Sequence, residues 1–343
     1  MKKHVNIPIF IPHLGCPNQC VFCNQRTISG VDEFDIALVR NEIESVLSTI
    51  DSDTEAEIAF FGGSFTGIDR ELMVDLLKIA YEYVLAGKVS SIRCSTRPDY
   101  IDSEILQLLK QYGVKTIELG LQSYDDSVLR LSKRGHTSLD EEDACKLIVE
   151  QGFELVGQMM IGLPGATFES EIATARFIIN SGAVGARIYP TVVFKDTELA
   201  QMLELGSYDA ISLDEAVRRS TAVLELFVKN NIKVIRIGLC ASDNLYDKNK
   251  YHAGPNHPAL GEMVESELYF SRTFEIISRA NLEHGAVAEL LVPKGALSKA
   301  IGQKKINKQR LIARFGLKDI KFREDSELNT YEVRLREGKR KCI

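Results

Sequence analysis

Ile7-Pro8-Ile9-Phe10-Ile11-Pro12-His13-Leu14-Gly15-Cys16-Pro17-Asn18-Gln19-Cys20-Val21-Phe22-Cys23 runs from a short apolar strand straight into three cysteines. These are spaced C-x3-C-x2-C, while Cys94, Cys145, Cys240 and Cys342 are scattered. An odd total with one tight cluster points to a metal site rather than a disulfide framework. Three thiolates on one loop can hold three irons of a cubane cluster and leave the fourth iron open to a substrate. A Cys3His zinc site completed by His13 is the alternative at this point.

Outward from this stretch, β-rich apolar runs recur at 58–61, 89–94, 116–121, 155–161 and 186–189. Helical patterns occupy 36–50, 71–85, 103–112, 139–151, 169–181 and 214–229. Asp102 or Ser103 is placed to cap a helix start, and Gly113 and Gly152 to close helix ends. Strands alternating with helices predict an α/β fold with a parallel sheet and right-handed crossovers. The expected architecture is a partial (β/α)6, TIM-like barrel over residues 1–239. In such sheets ligands sit at the carboxyl ends of the strands. The rhythm stops after Leu239. Residues 240–262 read as a connecting loop, and residues 263–343 as a small C-terminal α/β domain.

The cysteine spacing, with Phe22 just before the last cysteine, resembles the signature of the radical S-adenosylmethionine superfamily. There the open iron of a 4Fe-4S cluster chelates the amino and carboxylate groups of S-adenosylmethionine, and one electron cleaves the sulfonium. The resemblance makes Cys16, Cys20 and Cys23 the expected cluster ligands and sets Phe22 beside the adenine. Phe60-Phe61-Gly62-Gly63-Ser64-Phe65 matches the superfamily's glycine motif, so Gly62 and Gly63 are expected to meet the amino group. Ser64 stands where that motif usually has an acidic residue.

The later strand ends resemble the branch that contains the catalytic subunit of Elongator and oxygen-independent coproporphyrinogen III oxidase. Matching positions nominate Ser95, Gln122, Arg134 and Gln158 as S-adenosylmethionine contacts, with Gln158 where the oxidase has an acidic residue. Thr96-Arg97-Pro98-Asp99-Tyr100, Ile117-Glu118-Leu119-Gly120-Leu121-Gln122-Ser123 and Ile188-Tyr189-Pro190-Thr191 look more like the Elongator subunit. That subunit also carries an acetyltransferase domain, which this chain is expected to lack. The resemblance implies an electron donor such as ferredoxin or flavodoxin, and tRNA as a substrate.

The 343 residues carry a net charge of -6, but residues 294–343 hold 15 Lys+Arg against 6 Asp+Glu. A basic tail on an acidic body suits a polyanionic partner. Ala300-Ile301-Gly302-Gln303-Lys304-Lys305-Ile306-Asn307 joins two expected short helices with strands on either side. This order resembles the core of a KH module, whose loop clamps a nucleic-acid backbone. Lys305 takes the place of the usual second glycine. Lys304, Lys305, Lys308 and Arg310 are the candidate RNA contacts, and a small lid with a basic outer face is the alternative. His257 is a minor candidate for moving protons or touching substrate.

Apolar residues make up 45% and charged residues 26% of the chain, the balance of a globular protein. No apolar run reaches the roughly 18 residues of a membrane span. No cleavage site follows the basic start, so the expected compartment is the cytoplasm. Three functions follow. The first is a radical enzyme acting on RNA, with tRNA the expected target. The second is a radical enzyme acting on a small molecule such as a tetrapyrrole. The third is a zinc-stabilised, non-catalytic RNA-binding protein.

Overall fold

Near-continuous apolar runs need cover on both faces, which a parallel sheet between helices provides. In the computed structural model, which describes residues 4–11, 14–16, 19–24, 34–51, 53–239 and 249–336, those runs form such a sheet. Its strands are β1 (His4–Ile11), β2 (Glu55–Gly62), β3 (Ser91–Thr96), β4 (Val114–Gln122), β5 (Glu154–Ile161), β6 (Gly185–Pro190) and β8 (Lys233–Ile237). They lie side by side in that order, every pair parallel. The sheet curls into a partial TIM-like barrel. Alternate residues of β1, Ile7, Ile9 and Ile11, are completely or almost completely buried.

The connecting helices are α1 (Val39–Leu47), α2 (Arg70–Leu85), α3 (Ser103–Gln111), α4 (Asp126–Leu131), α5 (Ser138–Glu150), α6 (Phe168–Asn180), α7 (Glu198–Glu204) and α8 (Leu213–Lys229). Side chains stop the first turns from fraying. Asp102, rather than Ser103, caps α3, accepting from Ile105 N at 2.8 Å. Thr137 and Thr167 open α5 and α6 with reciprocal capping boxes. Gly113 and Gly152 follow the C-caps with φ of 73° and 82°, the left-handed turn that glycine adopts without strain.

Three features depart from the sequence expectation. The sheet has seven strands. The extra one, β8, is an edge strand in which Lys233 and Arg236 are exposed, so it lacks the apolar run that marks the others. Helices α4 and α7 have only 6 and 7 residues, too few for a helical repeat to stand out. Residues 240–262 are not all loop: Tyr251–Ala253 forms β9, antiparallel to β7 (Val193–Phe194), and a helix begins at Leu260.

Two compact units result, Met1–Ala216 with Leu226–Asn256, and Val217–Glu225 with His257–Ile343. Helix α8 therefore contributes residues to both. The second unit contains α9 (Leu260–Ala280), β10 (Val287–Pro293), α10 (Leu297–Ile301), α11 (Ile306–Phe315), β11 (Asp319–Asp325) and β12 (Arg334–Leu335). Strand β10 is central, parallel to β11 and antiparallel to β12. Ile277, Ala288, Leu290, Leu311, Leu317 and Ile320 form its main core. No helix of the described residues is long and apolar enough to cross a membrane.

Candidate active site

The loop after β1 is held by its own backbone. Cys23 N donates to Cys20 O at 3.0 Å, closing a tight turn. Val21 N donates to Ser132 O, and Leu199 N to Val21 O. Val21 is buried with Val193, Leu199, Ala200 and Tyr208, and Phe22 packs at the edge of that group. The loop also interlocks with the turn after β2. A Cβ on Gly63 would stand 1.9 Å from Leu14 O, and one on Gly15 would stand 2.2 Å from Ser64 O. Gly63 N already donates to Ile11 O at 2.8 Å. The glycine pair thus seats the cysteine loop, a packing duty that sequence reading does not reveal.

A cavity of about 410 Å³ opens at the carboxyl ends of the strands. It is lined by Cys16, Cys20, Cys23, Phe22, Gly62, Gly63, Ser95, Gln122, Arg134 and Gln158. The fold therefore brings together every cluster and cofactor candidate nominated from sequence. Gln19, Thr96, Arg97 and Gly120 line it as well. Burial, then the neighbouring Cys20 sulfur, pushes the Cys16 thiol up. Cys94 and Cys145 are free thiols buried elsewhere, raised by the same loss of solvent.

Two arginines stand over the cysteines. Arg134 donates to Cys20 Sγ at 3.3 Å and to Gly120 O at 2.6 Å. Arg97 grips Asp99 through Nε and Nη2 at 2.8 and 2.9 Å, and Nη2 also donates to Arg134 O. Ser64, Thr66 and Thr96 hydroxyls bond to one another beneath this pair. Ser64 is thereby occupied within the protein.

Below the cavity lies a charged interior that sequence reading missed. Glu57 accepts from Arg93 at 2.6 Å, Arg93 donates to Glu118 at 2.8 Å, and Arg187 forks onto Glu118 at 2.6 and 2.9 Å. Gln158 joins this network to the cavity, donating to Glu118 at 2.9 Å and to Ser95 at 3.2 Å. The available signal was a charged residue inside four of the strands, Glu57 in β2, Arg93 in β3, Glu118 in β4 and Arg187 in β6. Inside a sheet covered on both faces, such residues must pair.

A family model for the Radical SAM superfamily matches residues 10–178, and one for the Radical_SAM C-terminal domain matches residues 183–269. The chain belongs to the radical SAM superfamily. Among its relatives, the tRNA uridine(34) acetyltransferase of Dehalococcoides mccartyi (strain CBDB1) is 26% identical over 59% of this chain and 52% of its own. Elongator complex protein 3 of Saccharomyces cerevisiae is 26% identical over 54% of this chain and 37% of its own. The chain thus spans about half or less of the length of these relatives. In fold it is similar to the archaeal Methanocaldococcus infernus Elp3, with a TM-score of 0.63 at 21% identity, over 78% of this chain and 63% of that one.

Radical SAM proteins are enzymes that use a 4Fe-4S cluster and S-adenosylmethionine. Family membership overturns the zinc-stabilised, non-catalytic alternative; His13, its fourth ligand, lies outside the described residues. The cavity fits the two cofactors. It presents three cysteines, and Gln122 Oε1 is a buried acceptor with no partner among the described residues.

The remaining candidates lie in the second unit. Lys304 and Lys305 are exposed, and no ion pair engages them among the described residues. Lys308 pairs with Asp319 at 2.7 Å. Arg310 pairs with Glu267 at 2.8 Å and stacks 3.7 Å over the Phe270 ring. His257 Nδ1 accepts from Ala259 N at 3.1 Å, ahead of α9. That bond gives it a local structural role.

Proposed function

We propose that this chain cleaves S-adenosylmethionine reductively in the cavity described above and uses the reaction to modify tRNA. The observation that carries the reading is the convergence of Cys16, Cys20 and Cys23 with Gln122, Arg134 and Gln158 on one cavity. Cys16, Cys20 and Cys23 would hold the cluster. When bound, the cluster supplies the electron that splits the sulfonium. Gln122 offers its free carbonyl oxygen to an ammonium or hydroxyl donor of the nucleoside amino acid. Ser95 and Gln158 are set to orient the ribose. Phe22 supplies an apolar face for the adenine. Arg134 screens the negative charge that collects on the thiolates. The half-buried walls keep water from competing for the reactive carbon.

The relatives named for tRNA and for Elongator support tRNA as the substrate class, as does the basic C-terminal unit. That unit reads as KH-like, with Lys304 and Lys305 as the exposed cations of its loop; residues 263–343 form it in our reading, after the barrel of 1–239. A ferredoxin or flavodoxin would deliver the electron, in the cytoplasm.

Anaerobic reconstitution with iron and sulfide, followed by a 5'-deoxyadenosine assay with tRNA or metabolite pools, tests the proposal. Cleavage stimulated by tRNA, and abolished in Cys20→Ala along with the bound iron, is expected. Stimulation by a tetrapyrrole pool alone would remove tRNA and leave the cavity chemistry standing.

A further inference from the structure

We infer that Arg97 is a further cofactor-binding residue of the cavity, donating from Nη1 to an anionic group of the bound cofactors. The inference rests on the reading of the cavity given above. Arg97 is only 4% exposed, and its Nη1 is buried without a hydrogen-bond partner among the described residues. A buried donor left unpaired costs about 1–3 kcal/mol, and more when charged. Such a group calls for an acceptor that the described residues do not provide.

The engaged edge of the guanidinium narrows where the acceptor can lie. A guanidinium is a rigid plane with five donors. Asp99 holds Nε and Nη2, and Arg134 O takes Nη2 as well. With that edge clamped, the two N–H bonds of Nη1 are the donors left over among the described residues, and the residue lines the cavity that contains the three cysteines. The backbone is fixed too. Arg97 has φ -99° and ψ 154°, the extended state that the following Pro98 favours. Its N–H reaches Ser64 Oγ at 3.4 Å. A preorganised cation at this point needs little reordering to bind an anion.

Two sources offer the anion: cluster or cysteine sulfur, and the carboxylate of S-adenosylmethionine. They are separable. The full chain, reconstituted anaerobically, is compared with Arg97→Lys and Arg97→Gln. Three quantities are measured: iron content, cluster midpoint potential without S-adenosylmethionine by EPR titration, and S-adenosylmethionine affinity by equilibrium dialysis. A Kd raised on the order of tenfold or more at unchanged potential assigns Nη1 to the carboxylate. A more negative potential before S-adenosylmethionine is added assigns it to sulfur. Asp99→Asn keeps the guanidinium but loosens its clamp. It should move the same quantity by a smaller factor, and it serves in place of an Arg97 variant that fails to fold. Wild-type iron content, potential and affinity in a variant that only unfolds more easily would overturn the inference. Failure of the parent chain itself to take up iron would instead strike the reading of the cavity.

Discussion

Glu118 accepts four hydrogen bonds, one each from Arg93 and Gln158 and two from Arg187, with no exposed surface. Breaking such a network strands charges in the interior, at about 3–5 kcal/mol. Glu118→Gln should therefore lower unfolding free energy by about 3 kcal/mol in urea at pH 7; a loss near zero would mean that water screens the network. Burial favours the neutral carboxyl, but Arg187 and then Arg93 outweigh it and hold Glu118 below its ordinary value. Its stabilisation is complete above 4.5 and is lost as pH falls through the lowered value. His136 lies in the same region of the chain as Arg134 and contacts Glu141 at 3.0 Å. Burial, then Arg134 and Arg97, push it from 6.5 to about 3. Between those values the unfolded chain takes up a proton that the folded chain refuses, so its stabilisation is full above 6.5 and shrinks as pH falls. Glu141, pushed well up by burial, has the opposite slope, which makes the difference between variant and parent the quantity to follow. His136→Gln should flatten the fall in unfolding free energy, measured in urea, between 6.5 and 4 by as much as about 1.4 kcal/mol per pH unit. An unchanged slope would show that the imidazole protonates inside the fold.

At the end of β4 the pairing with β5 skips a residue between Gly120 and Gln122, and Gln122 takes φ 72°. A residue with a side chain pays about 1–2 kcal/mol for that conformation, so the strand end is strained where it meets the cavity. Gln122→Gly should raise unfolding free energy by up to about 1 kcal/mol and weaken S-adenosylmethionine binding on the order of tenfold. Calorimetry and equilibrium dialysis measure the two effects. A more stable variant with intact binding would remove Gln122 from the site. The same strand illustrates what a sequence discloses. Its apolar run and the five similar ones announce the sheet, and Ser95 and Gln122, each just beyond one of those runs, announce the cavity. The bulge does not show, because nothing in Leu119-Gly120-Leu121-Gln122 distinguishes a regular strand end from a shifted one. Strand β8 stays hidden for a related reason. At an edge, one side of the ladder faces solvent, so Lys233 and Arg236 break the apolar run that buried strands require. The charge network is invisible residue by residue because Glu57, Arg93, Glu118 and Arg187 meet only once the sheet curls.

For the molecule as a whole, the question is how to test the basic unit without damaging the fold. Truncation before Val264 is a poor instrument. Val217–Glu225 of α8 belongs to the compact unit that would be removed, Val223 and Leu224 are fully buried, and Thr221 Oγ1 bonds to Val264 O at 3.3 Å. Loss of RNA binding after such a cut would report unfolding as readily as a lost contact. Point changes in the loop before α11 avoid this. Gly302, with φ 78°, packs on Asn307, which is buried and donates to Ser266 O at 2.9 Å, so these two hold the loop in shape. Lys304 and Lys305 between them have φ of 50° and 65° and point into solvent. Replacing both by Gly relieves the backbone and removes both charges, so folding should not suffer. If the loop meets an RNA backbone, tRNA affinity should fall, and the salt dependence of log K should flatten by about 0.7 per lysine for single-stranded contacts. Lys308→Gln, already paired with Asp319, should change that slope far less. Filter binding across a salt series separates the cases. A double variant with the parent's slope would remove this loop from RNA binding and would move any tRNA contact elsewhere on the chain.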